Sequence, residues 1–199
     1  DVIPDVVSVL KKLRPKNSKE FIFPKKCPVC NGEVKLQEGE AAYKCINKNC
    51  PAKHREALYH FVSKKAFNIV GLGSEIIDKL VDEGLIKDSG DIFKLESKDL
   101  LDLEGFAKIS AEKLVSSIQK SKKISLARFI YALGIIHVGE ETANLLAMYF
   151  NSMENIVEAS EEDLKKVSGI GEKASVSITN WFRDKDNKKL ITKLLNCEV

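Results

Sequence analysis

The sequence predicts a mainly α-helical fold. Four tandem helix-hairpin-helix motifs, in two pairs, follow a small four-cysteine ribbon and a terminal β-strand. Three observations carry this. The first is the turn Val167-Ser-Gly-Ile-Gly-Glu-Lys-Ala174, where two glycines flank a branched apolar residue ahead of a polar helix start. The second is its recurrence: Gly171 has counterparts at Gly73, Ala107 and Gly139, spaced 34, 32 and 32 residues apart. The third is Cys27, Cys30, Cys45 and Cys50, a C-x2-C-x14-C-x4-C arrangement.

Taken in order, residues 1–10 are apolar-rich and expected to form a strand, and 11–20 form a basic strand or linker running on to Pro24. A lone strand is unstable without partners, so the N-terminus is expected to be a cut through a larger protein. Residues 25–55 follow as the cysteine module. Glu33–Leu36 and Ala42–Lys44 alternate as two ribbon strands across Gln37–Glu40, and Asn31-Gly32 supplies a tight turn. Two close cysteine pairs on such a ribbon can set four thiolates around one tetrahedral ion, expected to be structural zinc, one per chain. Two disulfides are the competing reading, disfavoured because the chain has no secretory features. Four cysteines suffice without His54 or His60, and Cys197 is expected to be a free thiol in the last helix.

Residues 56–199 read as helices. The first is expected over 56–66, followed by the turn Val70-Gly71-Leu72-Gly73 and a helix over 74–83. The second motif turns at Gly105-Phe106-Ala107. The third turns at Ile136-His137-Val138-Gly139, and the fourth at Gly169-Ile170-Gly171. Ser160-Glu-Glu-Asp163 has the form of a capping box. Asp91-Ile92-Phe93, Leu100 and Gly105 align without a gap on Asn155-Ile156-Val157, Leu164 and Gly169 at an offset of 64, and Ala66 to Gly73 align on Ala132 to Gly139 at 66. The unit is therefore a pair of hairpins present twice, over 56–122 and 123–199. Each turn can offer backbone N–H groups to a phosphate; in the fourth these are expected to be those of Ile170, Gly171 and Glu172. The candidate contacts are Gly71, Gly73, Gly105, Ala107, Lys108, His137, Gly139, Gly169, Gly171 and Lys173. His137 and Ala107 replace glycines, which makes their two turns the less typical ones.

At 199 residues, 44% hydrophobic and 31% charged, the composition is that of an ordinary globular chain. No apolar run reaches the ~18 residues of a membrane span. The net charge of +3 hides an asymmetry. Residues 1–66 hold 14 Lys/Arg against 7 Asp/Glu, while 67–199 hold 18 against 22. The hairpin half is mildly acidic, so any hold on nucleic acid must be local rather than diffuse.

This order of modules resembles the middle and C-terminal part of bacterial NAD-dependent DNA ligase. The marks are Asp1-Val-Ile-Pro4, Cys27-Pro-Val-Cys30, Ala66-Phe-Asn-Ile-Val-Gly-Leu-Gly73 and Ala132-Leu-Gly-Ile-Ile-His-Val-Gly-Glu-Glu-Thr-Ala143. The resemblance implies that residues 1–24 end an OB-fold domain and that 25–55 are a zinc finger linking it to the hairpin domain. It implies that the hairpins grip the minor groove of nicked double-stranded DNA without reading sequence, in a bacterial, nucleoid-associated protein of the cytoplasm that seals nicks in replication and repair. NAD and Mg2+ would serve only the full-length enzyme. The family's adenylation domain with its Lys-x-Asp-Gly motif and its BRCT domain have no counterpart here; Lys87-Asp-Ser-Gly90 has the wrong order. The chain alone is therefore expected to be inactive, with no catalytic residue. Two other classes remain open to the sequence: a protein-interaction module, favoured by the acidic hairpin half, and a glycosylase or nuclease accessory domain, for which Lys173 is placed but the Gly/Pro-rich turn before a downstream aspartate is missing.

Overall fold

Two stretches, Asp1–Cys50 and Pro51–Val199, each fold about their own contacts, and the computed structural model describes residues 4–36 and 42–199. In the first, strands β1 (Val34–Leu36) and β2 (Tyr43–Cys45) pair antiparallel, Val34 opposite Cys45 and Leu36 opposite Tyr43. The ribbon is as expected, with the second strand one residue later. The Gln37–Glu40 connection lies outside the described residues. Phe23 stacks on Tyr43 with ring centroids 4.3 Å apart, and Phe21 meets Phe23 edge-on at 4.8 Å.

The expected N-terminal strand is not found. Residues 1–3 lie outside the described residues, and 4–10 are exposed and form no strand, leading into one turn of 3-10 helix over Lys11–Leu13. The physical reason is the missing ladder: extended apolar backbone becomes a strand only when another pairs with it, and none does among the described residues.

The second stretch contains the helices α1 (Pro51–Val62), α2 (Ser74–Asp82), α3 (Ser89–Ile92), α4 (Ser97–Leu100), α5 (Lys108–Ser121), α6 (Leu126–Ala132), α7 (Glu140–Phe150), α8 (Met153–Glu158), α9 (Glu161–Lys165), α10 (Glu172–Arg183) and α11 (Lys185–Asn196). Helix α1 starts at Pro51 rather than at residue 56. Proline suits a first helical position, where its fixed φ fits and its missing N–H costs nothing. Cys197 lies just past α11 as its C-cap rather than inside the helix.

The repeat offsets are visible in the core. Ile77 and Leu80 of α2 are buried as Ala143 and Leu146 of α7 are, at an offset of 66. Leu100, Ala111 and Leu114 are buried as Leu164, Ser175 and Ile178 are, at 64. The turns repeat too. Lys79 Nζ donates to the Glu104 carbonyl at 2.9 Å, beside Gly105. Leu145 stands 66 residues after Lys79 and packs on Gly169, so closely that a Cβ there would lie 2.9 Å from Leu145 Cδ1.

The two halves meet through Phe67. It stacks on Phe61 at 4.2 Å and also meets Phe93 and Phe129, at 5.3 and 6.0 Å. A second tie joins α11 to the start of α3, where Lys193 Nζ lies 2.8 Å from Asp88 Oδ2 and 2.6 Å from Asp91 Oδ1.

One buried group breaks the pattern. Ser175 satisfies its hydroxyl on the Glu172 carbonyl at 2.8 Å, but Thr179 Oγ1 finds no partner among the described residues, at the place Val115 holds in the first pair. An unmet buried hydroxyl is destabilising, and valine has nearly the same shape. Thr179→Val should raise stability by about 1 kcal/mol, seen as a higher urea midpoint at unchanged slope. A lower midpoint would contradict this.

Candidate metal centre and nucleic-acid interface

The chain brings the four predicted cysteines together. Their sulfurs all lie within 4.8 Å of one another, with Cys27 and Cys50 at 3.9 Å and Cys30 and Cys45 at 3.5 Å. All four are free thiols, too far apart for a disulfide. Tetrahedral zinc at ~2.3 Å from each sulfur needs sulfurs ~3.8 Å apart, so the set fits that ion. It includes no histidine; His60 Nε2 instead meets the Tyr131 carbonyl at 2.7 Å, an oxygen that can only accept.

The turn around Cys27–Cys30 is built for this site. The Asn31 N–H donates to the Cys27 carbonyl at 2.9 Å, the Cys27 N–H to the Gly32 carbonyl at 2.8 Å, and Asn31 takes φ 55°. The Gly32 N–H then reaches Cys30 Sγ at 3.4 Å. A Cβ on Gly32 would lie 3.0 Å from Asn47 Cβ and 3.1 Å from Cys30 Sγ, a close approach that glycine allows without displacing either neighbour. The Gly32 N–H, aided by Asn47, lowers the Cys30 thiol to about 6, which favours the thiolate a metal requires. Loss of hydration and the neighbouring thiols push Cys45 up to about 11. A thiolate set of this kind holds charge comfortably only around a cation. Four sulfur ligands also close a tetrahedral ion, leaving no position for chemistry, so its role is structural.

In the second stretch, the four turns share one backbone pattern. The first turn position is left-handed at Gly71 (φ 90°), Gly105 (φ 91°), His137 (φ 66°) and Gly169 (φ 93°). The second position is extended at Gly73, Ala107, Gly139 and Gly171, with φ of −86°, −116°, −87° and −82°. The conformational demand therefore falls on the first position and not on the second. Ala107 is consequently unstrained, and His137 is the residue in the unusual conformation.

The amides also divide. In every turn the middle N–H is spent on closing it, from Leu72, Phe106, Val138 and Ile170 to the carbonyl three residues back, at 3.0–3.1 Å. Ile170 thus corrects the expected cradle: its N–H is not available to a phosphate. The Gly171 and Glu172 N–H groups have no acceptor among the described residues, nor do those of Gly73 and Gly139. At the second turn, however, the Ala107 N–H donates to Ser110 Oγ at 2.8 Å.

Helix capping sharpens the contrast. Helices α3, α6, α8, α9 and α11 begin with an Asp or Ser side chain accepting first-turn N–H groups. The helices behind the turns, α2, α5, α7 and α10, have no such side-chain cap. A Cβ placed on Gly73, Gly139 or Gly171 would meet nothing within 4 Å. Nothing in this chain's own packing asks for glycine there. Lys108 and Lys173 are exposed in the first turns of α5 and α10. Glu140 begins α7 and is ion-paired with Lys65 at 2.5 Å. Lys113 and Lys120 along α5, and Lys123 just beyond it, are exposed as well.

Removal of one sulfur should expose what the site stabilises. Binding of a structural metal to such a ribbon is worth on the order of 10 kcal/mol. Cys45→Ser should lose the metal and unfold the ribbon while leaving the helical signal of residues 51–199. Elemental analysis finding one zinc per native chain, and none in the variant, is the expected result; metal-free native chain with two disulfides would refute it.

Comparison with known proteins agrees with these two sites. Residues 26–52 match the NAD-dependent DNA ligase C4 zinc finger domain, and 128–191 match the helix-hairpin-helix motif. The chain is 43% identical over 195 residues to a DNA ligase of Koribacter versatilis, covering 98% of this chain and 29% of that protein. It is 44% identical over 194 residues to a DNA ligase of Bacillus subtilis, again covering 98% of this chain and 29% of that one. It is 42% identical over all 199 residues to a DNA ligase of Desulforamulus reducens, of which it covers 30%. No helix among the described residues is long and apolar enough to cross a membrane. With a match to the ligase zinc finger and this identity along nearly its whole length, the chain is similar to one stretch of these DNA ligases, spanning about 29% of their length.

Proposed function

We propose that this chain is the part of an NAD-dependent DNA ligase that holds nicked double-stranded DNA, through phosphate contacts made by four helix-hairpin-helix motifs in two pairs. Cys27, Cys30, Cys45 and Cys50 hold one structural zinc, and residues 1–24 end an OB-fold domain of the same polypeptide. NAD and Mg2+ act in the adenylation part of that polypeptide, and the whole protein works on the bacterial nucleoid. The observation that carries the reading is the open helix start. Helices α2, α7 and α10 present first-turn amides that no side chain of their own satisfies, behind glycines that nothing inside the chain requires. A helix N-terminus of this kind favours an anion, and a missing Cβ lets phosphate come close. The second turn differs, because Ala107 carries a Cβ and Ser110 occupies its amide, so it holds phosphate least.

The two glycines of the fourth turn test this cleanly. Gly171 has ordinary extended backbone and empty space around it, so Gly171→Val should fold like wild type and lose affinity for a nicked duplex by tenfold or more. Gly169→Ala should instead weaken the fold, through φ 93° and the 2.9 Å approach to Leu145. Phosphate contacts place a protein without reading bases, so affinity should not depend on sequence. Lys173→Ala should cost less than Gly171→Val and flatten a log–log salt slope expected at about −3 to −5. Fluorescence anisotropy at several salt concentrations measures all of this. Folded Gly171→Val binding like wild type would sink the amide cradle.

Self-adenylation needs a lysine nucleophile within a nucleotide pocket, and the Lys-x-Asp-Gly motif is missing from this sequence. Labelled NAD should leave the chain unlabelled. A stable AMP adduct on any lysine would contradict the assignment.

A further inference from the structure

If the hairpin half holds duplex DNA, its charge poses a problem: residues 67–199 carry 18 Lys/Arg against 22 Asp/Glu. Attraction must be concentrated somewhere. An open groove of about 740 Å³ runs along α5, from the first turn at Phe67–Val70 to the start of α6. Lys113, Lys120, Lys123 and Arg128 line it against the single carboxylate of Glu112. The three lysines are exposed and form no ion pair among the described residues. Arg128 is anchored, donating to the Lys64 carbonyl at 2.8 Å and the Lys65 carbonyl at 3.3 Å.

The arrangement has a direction. Lys113, Ser116, Ser117 and Lys120 recur at helical spacing on one face of α5, with Lys123 just beyond its end. Lys113 and Lys120 are two turns apart, ~10.5 Å along the helix axis. That matches about three nucleotides at ~3.4 Å of rise per strand. Val70 and Ile109, 71% and 67% exposed, lie in the same wall. Such apolar side chains suit the sugar faces between phosphates better than they suit a lone ion.

The repeat itself supplies a control. Shifted by 64 residues, Lys113 becomes Ser177, Lys120 becomes Asp184 and Lys123 becomes Asn187, although the buried positions of the same helix are kept. The cationic stripe is therefore not a by-product of the hairpin-pair architecture. It belongs to the first pair alone.

We propose that this groove is a second, lysine-based track for the sugar–phosphate backbone of one DNA strand, separate from the turn amides and source of most of the salt dependence of binding. This rests on the DNA-holding reading above. Each lysine–phosphate contact contributes ~0.9 to the salt slope. The variant Lys113→Gln/Lys120→Gln/Lys123→Gln should therefore flatten the slope by about 2–3 and lower affinity at least tenfold near 0.1 M salt. A control of equal charge, Lys94→Gln/Lys188→Gln/Lys189→Gln, changes lysines lining a separate cavity beside α11. Both are compared with wild type on one fluorescent nicked duplex across a salt series, after circular dichroism has confirmed folding. In parallel, the duplex should protect Lys113, Lys120 and Lys123 from acetylation, read by mass spectrometry. Wild-type slope and affinity in the groove variant, or equal losses in both variants, would overturn the groove while leaving the amide cradle standing. A wild-type chain that retains no duplex at any salt concentration would instead overturn the DNA-holding reading, and the groove with it.

Discussion

The hairpin half depends on a single backbone constraint, the left-handed residue that opens each turn. At Gly71, Gly105, His137 and Gly169 the chain turns toward the next helix, which begins three residues on. The middle residue closes the turn with its own amide and turns its side chain inward, buried at Leu72, Val138 and Ile170 and half-buried at Phe106. Because that amide and side chain are used inward, what remains outward is the start of the following helix. The same constraint thus creates the core contact and the exposed first-turn N–H groups. Three of the four positions use glycine, which takes positive φ without strain. His137 occupies the fourth at the strain cost of a side chain in that region.

Electrostatics and geometry divide the proposed task. Amides at a helix start attract phosphate at contact range but neutralise little charge, and their field fades beyond the first turn. Lysines act further out, over a Debye length of roughly 8–10 Å at physiological salt. A net acidic array with one unpaired cationic groove would repel a polyanion along most of its surface and admit it along one line. Glu140 and Glu172, in the first turns of α7 and α10, reinforce this, since they disfavour phosphate unless it arrives held from another side.

Much of this was legible in the sequence, and the misses have physical causes. The cysteine spacing and the offsets of 64 and 66 were visible because each is a local pattern that packing preserves. The capping box at Ser160 was equally local, and the structure has its hydroxyl accepting from the Asp163 N–H at 3.1 Å. The N-terminal strand failed because a strand is a relation between two segments, and apolar composition supplies only one. Which of the two turn glycines takes positive φ was not legible, since a Gly-x-Gly pattern does not distinguish them. Ile170 was wrongly counted as a phosphate donor because only the folded turn shows its N–H bonded to Val167. The groove went unseen because Lys113, Lys120 and Lys123 look like a solvated helix face until the first turn and α6 are placed beside them.

Why should the two hairpin pairs be fastened together at all? The buried residues of both pairs form one cluster, bridged by Phe67 on one side, and Lys193 ties the pairs on another. At Lys193 burial alone would lower the ammonium pKa, but Asp88 and Asp91 outweigh it and leave it raised. The lysine therefore stays charged through neutral pH and ties α11 to α3. Gly90 lets α11 approach there, since a Cβ would stand 2.8 Å from the Lys193 side chain. A grip that reads no bases gains its selectivity for a duplex from the fixed spacing of its phosphate contacts. Contacts contributed by the first pair's groove and the second pair's open turns keep one spacing only if the pairs move as one body. The charged tie and the aromatic bridge are thus part of how such a surface would recognise DNA, although neither would touch it.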